Sequence, residues 1–499
     1  MTRLLRLAAL ALGAPLLLLV VGVLVLLLAR LALAWFFPGV PEAEHLEQKQ
    51  RYLASLPRVD PATAPRFVVI LFDDLGWGDL SSYGNGLIRT PRIDRAAAEG
   101  LRMTDFYAAS PVCTPSRAAL LTGRYPPRTG TDRHVFFPAR SPLGLLRRVF
   151  GLANDLPRDE ITLAEVLAAA GYATGMVGKW HLGDQPGHRP EDFGFQSWLG
   201  VLYSNDMAPL DLIRNGRVIQ RDARPGQWRG ERDEQRPLGP GGLDQSRLTA
   251  RYTEEAVRFL EAHRAEPFFL YLAHTFPHVP HYASPEHAGR SAGGLYGDGV
   301  EDLDRSTGAI LDALERLGLA STTAVFITSD NGADYGGSAG ALRGRKGEIL
   351  EGGQRVPMIV RWPGRVPPRV SGEPAMNTDL FPTLLALAGL PLPPDRVIDG
   401  HDRTVLLEGR GDAADAPIFF FPTTDSLPGA VRQGRFKYLR STGDLGRDRP
   451  HLTRVDADAE AHDLSQLYPE ERARLAKLLD DMRAQVAANG RGWRETAAP

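Results

Sequence analysis

The sequence predicts an α/β fold built on a large, mainly parallel β-sheet, followed by a small C-terminal α+β subdomain. Three observations predict it. Apolar runs recur at Phe67–Phe72, Phe268–Ala273 and Ala324–Ser329, and such runs are expected of strands buried on both faces. Helical patterns alternate with them, as in sheets with helices on their faces. After residue 414 the rhythm changes: Pro417–Phe421 and Arg435–Leu439 read as neighbouring strands, and Glu470–Val486 as a closing amphipathic helix.

The elements follow in order. Arg3 and Arg6 precede an uncharged run from Leu7 to Ala29. That run exceeds the ~7–15 residues of a cleaved signal core and meets the ~20 needed to span a bilayer. Residues 1–37 are therefore expected to form an N-terminal membrane helix, a signal anchor. Its basic start lies in the cytoplasm, and acidic Glu42, Glu44 and Glu47 lie on the far side. Ala32-Leu33-Ala34 offers a cleavage site, so a signal peptide and a secreted product remain the alternative. There is no Asn-x-Ser/Thr sequon, which favours a bacterial periplasmic setting over a eukaryotic secretory one. Residues 38–65, interrupted by Pro38, Pro41, Pro57, Pro61 and Pro65, read as a linker; residues 66–414 form the main domain and 415–499 the small one. Within the main domain, Ile161–Gly171 reads as a helix with Thr162 as N-cap, Glu165 completing a capping box and Gly171 as the stop. Thr174–Val177 is a short strand, and Leu248–His263 and Leu303–Leu317 are helices. Leu143–Phe150, with Arg147 and Arg148, reads as a packed loop; Arg224–Gly242 reads as a surface loop, a candidate substrate rim.

Composition narrows the function classes. Hydrophobic residues at 43% and charged residues at 24% exclude a disordered chain. Lys+Arg at 58 against Asp+Glu at 60 gives a net charge of −2, without the basic excess of a nucleic-acid binder. The single cysteine, Cys113, excludes an intrachain disulfide and a cysteine-rich metal site.

Two buried strands end alike. Phe67–Phe72 runs into Asp73-Asp74, and Ala324–Ser329 into Asp330-Asn331. Each pair alone reads as a turn former. Two pairs of oxygen donors at strand ends of one sheet suit Ca²⁺ or Mg²⁺.

The segment Cys113-Thr114-Pro115-Ser116-Arg117-Ala118-Ala119-Leu120-Leu121-Thr122-Gly123-Arg124 resembles the signature of the type I, formylglycine-dependent sulfatases, arylsulfatase-like members included. In that family a maturation enzyme reads Cys-x-Pro-x-Arg and converts the cysteine to an aldehyde. The resemblance continues through Phe72–Asp79, Gly178–Gly183, Pro277–Pro280, Thr328–Gly332, Leu342–Gly347 and Glu351–Pro357, in the family's order; Tyr203–Asp206 is a shorter match. It implies an alkaline-phosphatase-like α/β sandwich with a smaller C-terminal sheet. It also implies sulfate ester hydrolysis, on an aryl sulfate or a sulfated carbohydrate. Asp73, Asp74, Asp330, Asn331 and the modified Cys113 would hold a divalent cation, Ca²⁺ ahead of Mg²⁺. Arg117 and Lys179 would stabilise the hydrated aldehyde, and His181 would be the base that releases sulfate. Lys179, His278, Lys346 and Ser204 would bind substrate, with His278 or Lys346 protonating the leaving alcohol.

The chemistry explains the residue type. A serine nucleophile would leave a sulfoserine ester nearly as inert as the substrate. A hydrated aldehyde has a second hydroxyl whose deprotonation expels sulfate, splitting one hard step into two. Arg117 lies one helical turn from Cys113, and His181, two residues after Lys179, shares its face if the segment is extended. Related folds with the same nucleophile hydrolyse phosphonates and phosphodiesters, and a non-catalytic sulfated-glycan binder is the rival from another class. The expected partners are a sulfated small molecule or glycan, the formylglycine-generating maturation enzyme and the membrane, with no nucleic acid.

Overall fold

The structure is a computed structural model and describes residues 15, 17–28, 43–132, 134–221, 243–411, 415–441, 449–457 and 460–494. Its large sheet contains β1 (Arg66–Asp73), β2 (Leu101–Tyr107), β3 (Ala173–Lys179), β4 (Ser197–Val201), β5 (Leu212–Arg214), β6 (Arg217–Gln220), β7 (Phe268–Pro277), β8 (Thr323–Ser329), β9 (Arg355–Arg361), β10 (Arg369–Ser371) and β11 (Ala375–Met376). The spatial order is β10-β2-β9-β8-β1-β7-β3-β4-β5-β6, with β11 beside β2.

The five central strands β8, β1, β7, β3 and β4 are mutually parallel. Beyond them the sheet is mixed rather than mainly parallel. β9 runs antiparallel to both β8 and β2, and β5 and β6 add two further antiparallel pairs. The reversal at β9 has a consequence for the site. The chain leaving β8 folds back over the carboxyl ends of the central strands before it re-enters the sheet.

Every apolar residue from Phe67 to Phe72 is 0–1% exposed, which contributes about 1.5–3 kcal/mol per side chain. Alternation sends Phe67, Val69 and Leu71 to one face and Val68, Ile70 and Phe72 to the other. The first face packs against α1 (Ala43–Ser55), α3 (Cys113–Thr122), α4 (Leu163–Ala169) and α7 (Leu380–Leu387); the second packs against α2 (Pro91–Glu99), α5 (Leu248–Ala262) and α6 (Gly294–Arg316). The result is a three-layer sandwich. The small domain pairs β12 (Ile418–Phe420), β13 (Ala430–Gln433), β14 (Phe436–Leu439) and β15 (His451–Arg454) in an antiparallel sheet, beside α8 (Pro469–Ala488). Its core, including Phe420, Val431, Leu452 and Leu475, is continuous with Tyr107 and Ala119 of the main domain.

Two expectations change and a third is not supported. Residues 43–55, expected in a linker, form α1, whose Tyr52 joins the core and whose Lys49 meets Glu165 at 2.6 Å. Residues 142–149 form a helix that leaves Leu143, Leu146 and the following Phe150 at 40–55% exposure, so this is not a packed loop. The membrane helix expected over Leu7–Ala29 finds no support. Residues 17–28 are helical and exposed, and among the described residues no helix is long and apolar enough to cross a membrane. The ends of that run, and Arg224–Gly242, lie outside the described residues.

Candidate active site

The site forms where the parallel strands stop. Phe72 of β1 lies beside Ser329 of β8, so Asp73-Asp74 and Asp330-Asn331 emerge side by side. β7 and β3 continue the row and deliver His278 and Lys179. Ligand sites in α/β sheets lie at such carboxyl ends. Asp74 takes a left-handed backbone (φ 67°), which aspartate tolerates better than most residues. Asn331 Nδ2 fixes its side chain by donating to Asp74 Oδ1 at 2.7 Å.

Cys113 is the first residue of α3, 1% exposed. Val112 provides no side-chain cap, so the orphan amides and the dipole of the helix start favour negative charge here. Cys113 Sγ lies 3.4 Å from Asp73 Oδ1 and 4.0 Å from Asp74 Oδ1. Burial pushes the thiol well above its ordinary pKa, against the opposing charge of Lys179. As a thiol it stays protonated and is a poor nucleophile.

One turn further, Arg117 is fully buried and spans the row. It donates through Nε to Asp330 Oδ2 at 2.8 Å and through Nη1 to the Lys179 carbonyl at 2.9 Å, with Asp73 Oδ1 3.5 Å away. Lys179 Nζ reaches Asp73 Oδ2 at 2.6 Å and donates to Ser204 Oγ at 3.0 Å. Lys346, on the loop that folds back before β9, reaches Asp74 Oδ2 at 2.7 Å and retains 19% side-chain exposure, unlike Lys179. His278 Nε2 lies 3.6 Å from Asp74 Oδ2 and 3.3 Å from Ser204 Oγ. Its Nδ1 is 3.0 Å from Asn205 Oδ1 and 2.6 Å from the Val279 carbonyl. Two acceptors there assign the proton to Nδ1 and leave Nε2 facing the site.

Burial raises Asp73, but Lys179, His278 and Arg117 outweigh it and hold the carboxyl far below the usual range. For Asp330, burial and the charge of Asp73 win over Arg117 and push it up to about 6. His181 is the exception to the expected shared face. β3 ends at Lys179, and His181 has a left-handed backbone (φ 62°), so the segment is not extended. Its Nε2 donates to the Phe136 carbonyl at 3.1 Å, and its Nδ1 is buried with no hydrogen-bond partner.

The donor set fits a divalent cation. Oxygens of Asp73, Asp74 and Asp330 and the Cys113 sulfur lie within 4.8 Å of one another. Asn331 Oδ1 is buried without a partner although its Nδ2 is satisfied. A buried, unpaired amide oxygen beside three carboxylates is what an oxygen-coordinated ion would use.

The candidate residues read from the sequence thus meet in one cluster, except His181, whose ring makes its hydrogen bond to the Phe136 carbonyl instead. Sequence reasoning gave no role to Asn205, which orients His278, or to Asn377, which donates to the Ser116 carbonyl and hydroxyl of α3 at 3.1 and 2.9 Å. Asn205 was signalled by its place beside Ser204; nothing around Asn377 marks it.

The family model named Sulfatase matches residues 65–390. Human arylsulfatase A is 39% identical over 456 residues, covering 84% of this chain and 82% of that protein. N-acetylgalactosamine-6-sulfatase of Canis lupus familiaris is 42% identical over 392 residues, covering 75% and 71%. Among solved structures, a Bacteroides thetaiotaomicron protein of glycosaminoglycan metabolism superimposes with a TM-score of 0.74 at 28% identity, covering 85% of this chain and 100% of that one. A phosphonate monoester hydrolase of Agrobacterium radiobacter, at TM-score 0.60 and 20% identity, shares the fold alone. The buried Cys113 at its helix start, the paired acidic strand ends and these relatives lead to one assignment: the chain belongs to the sulfatase family and is a sulfuric ester hydrolase.

Proposed function

We propose that the protein hydrolyses a sulfate monoester, an aryl sulfate or a sulfated carbohydrate, using a formylglycine made from Cys113. The observation that carries this reading is Cys113 itself. It is a buried, protonated thiol at a helix start, 3.4 Å from a carboxylate, and is chemically inert unless converted. The hydrated aldehyde supplies the attacking hydroxyl, and a divalent cation, Ca²⁺ ahead of Mg²⁺, supplies charge neutralisation and a lowered hydroxyl pKa. Asp73, Asp74, Asp330 and Asn331 would hold that cation together with the modified Cys113 side chain.

The chain's own residues do the rest. Arg117 and Lys179, held against Asp330 and Asp73, supply positive charge beside the Cys113 side chain and beneath the sulfate. Lys346 and the Nε2 face of His278, with Ser204 between Lys179 and His278, bind sulfate oxygens and the bridging oxygen, and Lys346 or His278 protonates the leaving alcohol. His181 Nδ1 takes the proton whose loss releases sulfate.

Because Cys113 is 1% exposed, the maturation enzyme must meet it before the domain folds. Export through the Leu7–Ala29 segment, left in place as an anchor or removed as a signal, would follow or accompany that step. The reading is tested by assaying matured protein on 4-nitrophenyl sulfate and 4-nitrophenyl phosphonate esters, before and after chelation. Sulfate release, abolished by chelator and restored by Ca²⁺ or Mg²⁺, is the expected result. Preference for the phosphonate ester, or active protein with no bound divalent ion, would refute it.

A further inference from the structure

The small domain holds the catalytic loop at three points. Lys437 of β14 is 0% exposed, and its ammonium has three neighbours. These are the Ile349 carbonyl at 2.8 Å, Glu351 Oε1 at 2.9 Å and Glu460 Oε1 at 2.9 Å. The first two are hydrogen bonds and the third is an ion pair. Two of the three neighbours belong to the segment that carries Lys346. The third, Glu460, returns to the same segment. Its Oε2 accepts from the Glu351 amide at 2.7 Å, and its carbonyl accepts from Arg343 Nη1 at 2.8 Å. The grip therefore falls on both sides of Lys346, at Arg343 and at Ile349–Glu351. Glu351 Oε2 also accepts from the Tyr107 hydroxyl at 2.6 Å, and Arg432 of β13 pairs with Asp105 at 2.5 Å, extending the contact into β2.

A fully buried Lys–Glu cluster is a poor way to add stability. Desolvation costs about as much as the pairing returns, and apolar side chains of equal volume do as well. What such a cluster can supply is one defined geometry. The loop needs one, since the Lys346 amide donates to the Ala333 carbonyl at 2.9 Å, the next amide to Pro111 at 2.9 Å, and Nζ must reach Asp74.

We propose that Lys437 and Glu460 are positioning residues for Lys346, which makes the C-terminal subdomain part of the catalytic unit. The inference rests on the substrate-side role given to Lys346 above. It is tested on full-length, matured enzyme with Lys437→Met and Glu460→Gln, each made alone and with Lys346→Ala. The exposed Lys477→Met serves as control. The substrates are phenyl sulfate and 4-nitrophenyl sulfate.

Lys437→Met should lower kcat/KM on the order of 10–100-fold, the scale of a small misplacement of a catalytic group. The loss should be larger on phenyl sulfate, whose poorer leaving group depends more on a cation at the bridging oxygen. In the Lys346→Ala background the same change should cost less than about twofold, since two residues acting through one group are not additive. A full multiplicative loss in that background, or an equal loss on both esters, would overturn the proposal. Hydrogen exchange gives a readout independent of activity. The amides of Lys346 and Gly347 should lose protection in Lys437→Met while those of β1 do not; unchanged protection would also overturn it. If Lys437→Met fails to fold, Glu460→Gln carries the same cycle. Wild-type enzyme inactive on both esters would sink the aryl-sulfate reading, while the exchange result would still decide the positioning role.

Discussion

What surrounds His181 suits it to the role of base proposed for it. Its Nε2 proton is given to the Phe136 carbonyl, so the free lone pair is on Nδ1. Burial, followed by the positive charges of Lys179 and Arg117, pushes its pKa well below the ordinary 6.5. A lowered pKa keeps the ring neutral, and so able to accept a proton, down to acidic pH. The acid limb of kcat that belongs to His181 should therefore lie well below pH 6.5. His181→Asn should lower kcat by about 10²–10⁴-fold, the usual worth of a positioned base. A pH–rate profile checks both; a wild-type limb at pH 6.5 that His181→Asn abolishes would contradict this account. The sequence carried the identity of this residue through Gly178–Gly183 but not its geometry. The left-handed turn at His181 is set by tertiary contacts, including Thr114 Oγ1 donating to its carbonyl at 3.0 Å, and periodicity cannot see it.

At the scale of elements, legibility followed local chemistry. α4 was readable because its cap is local: Thr162 accepts from the Glu165 amide at 3.2 Å, and Glu165 Oε2 accepts from the Thr162 amide at 3.0 Å. Thr162→Ala should cost about 0.5–2 kcal/mol by loss of the cap. Urea unfolding would measure it, with no change in midpoint as the contrary result. β9 was not readable as a strand, because Pro357 sits inside it and interior strands exclude proline. The structure resolves the conflict with an irregularity. The β2–β9 register shifts between Met103 and Phe106, where Pro357 falls, and the ladder with β8 begins only at Met358. The fold-back that precedes β9 packs glycine against glycine. A Cβ on Gly332 would lie 2.0 Å from the Gly352 carbonyl oxygen, so the second acidic loop and the lysine loop touch through backbone alone.

Across the whole molecule, distant parts of the chain converge on Glu160, which is fully buried. Arg124, just past α3, meets it at 2.8 Å, Arg491 of the C-terminal tail at 2.9 Å and Arg396 at 4.0 Å, while Lys49 of α1 donates to its carbonyl at 2.6 Å. All three guanidiniums stack on Trp493. No sequence pattern announces this knot, since Glu160's partners lie from 36 to 331 residues away along the chain. It explains why residues 43–55 are not a free linker. Burial raises Glu160, but Arg124, Arg491 and Arg396 outweigh it and hold the carboxyl below its ordinary 4.5. The stability it contributes is thus present above pH 4.5 and lost as pH falls below it. Glu160→Gln should destabilise by about 3–5 kcal/mol, as when one partner of a buried pair is removed, and should flatten the acid side of the stability curve. Thermal melts from pH 3 to pH 7 would show this; identical melts for the two proteins would contradict it. The catalytic cluster was legible because its motifs are short and local, and its assembly follows from parallel strands that end together. The most direct test of the central claim compares, across preparations matured to different extents, the fraction of residue 113 carrying an aldehyde by peptide mass spectrometry with sulfate released per protein. The account predicts strict proportionality through zero, with folded but inactive Cys113→Ala at the origin; turnover by protein that carries no aldehyde would contradict it.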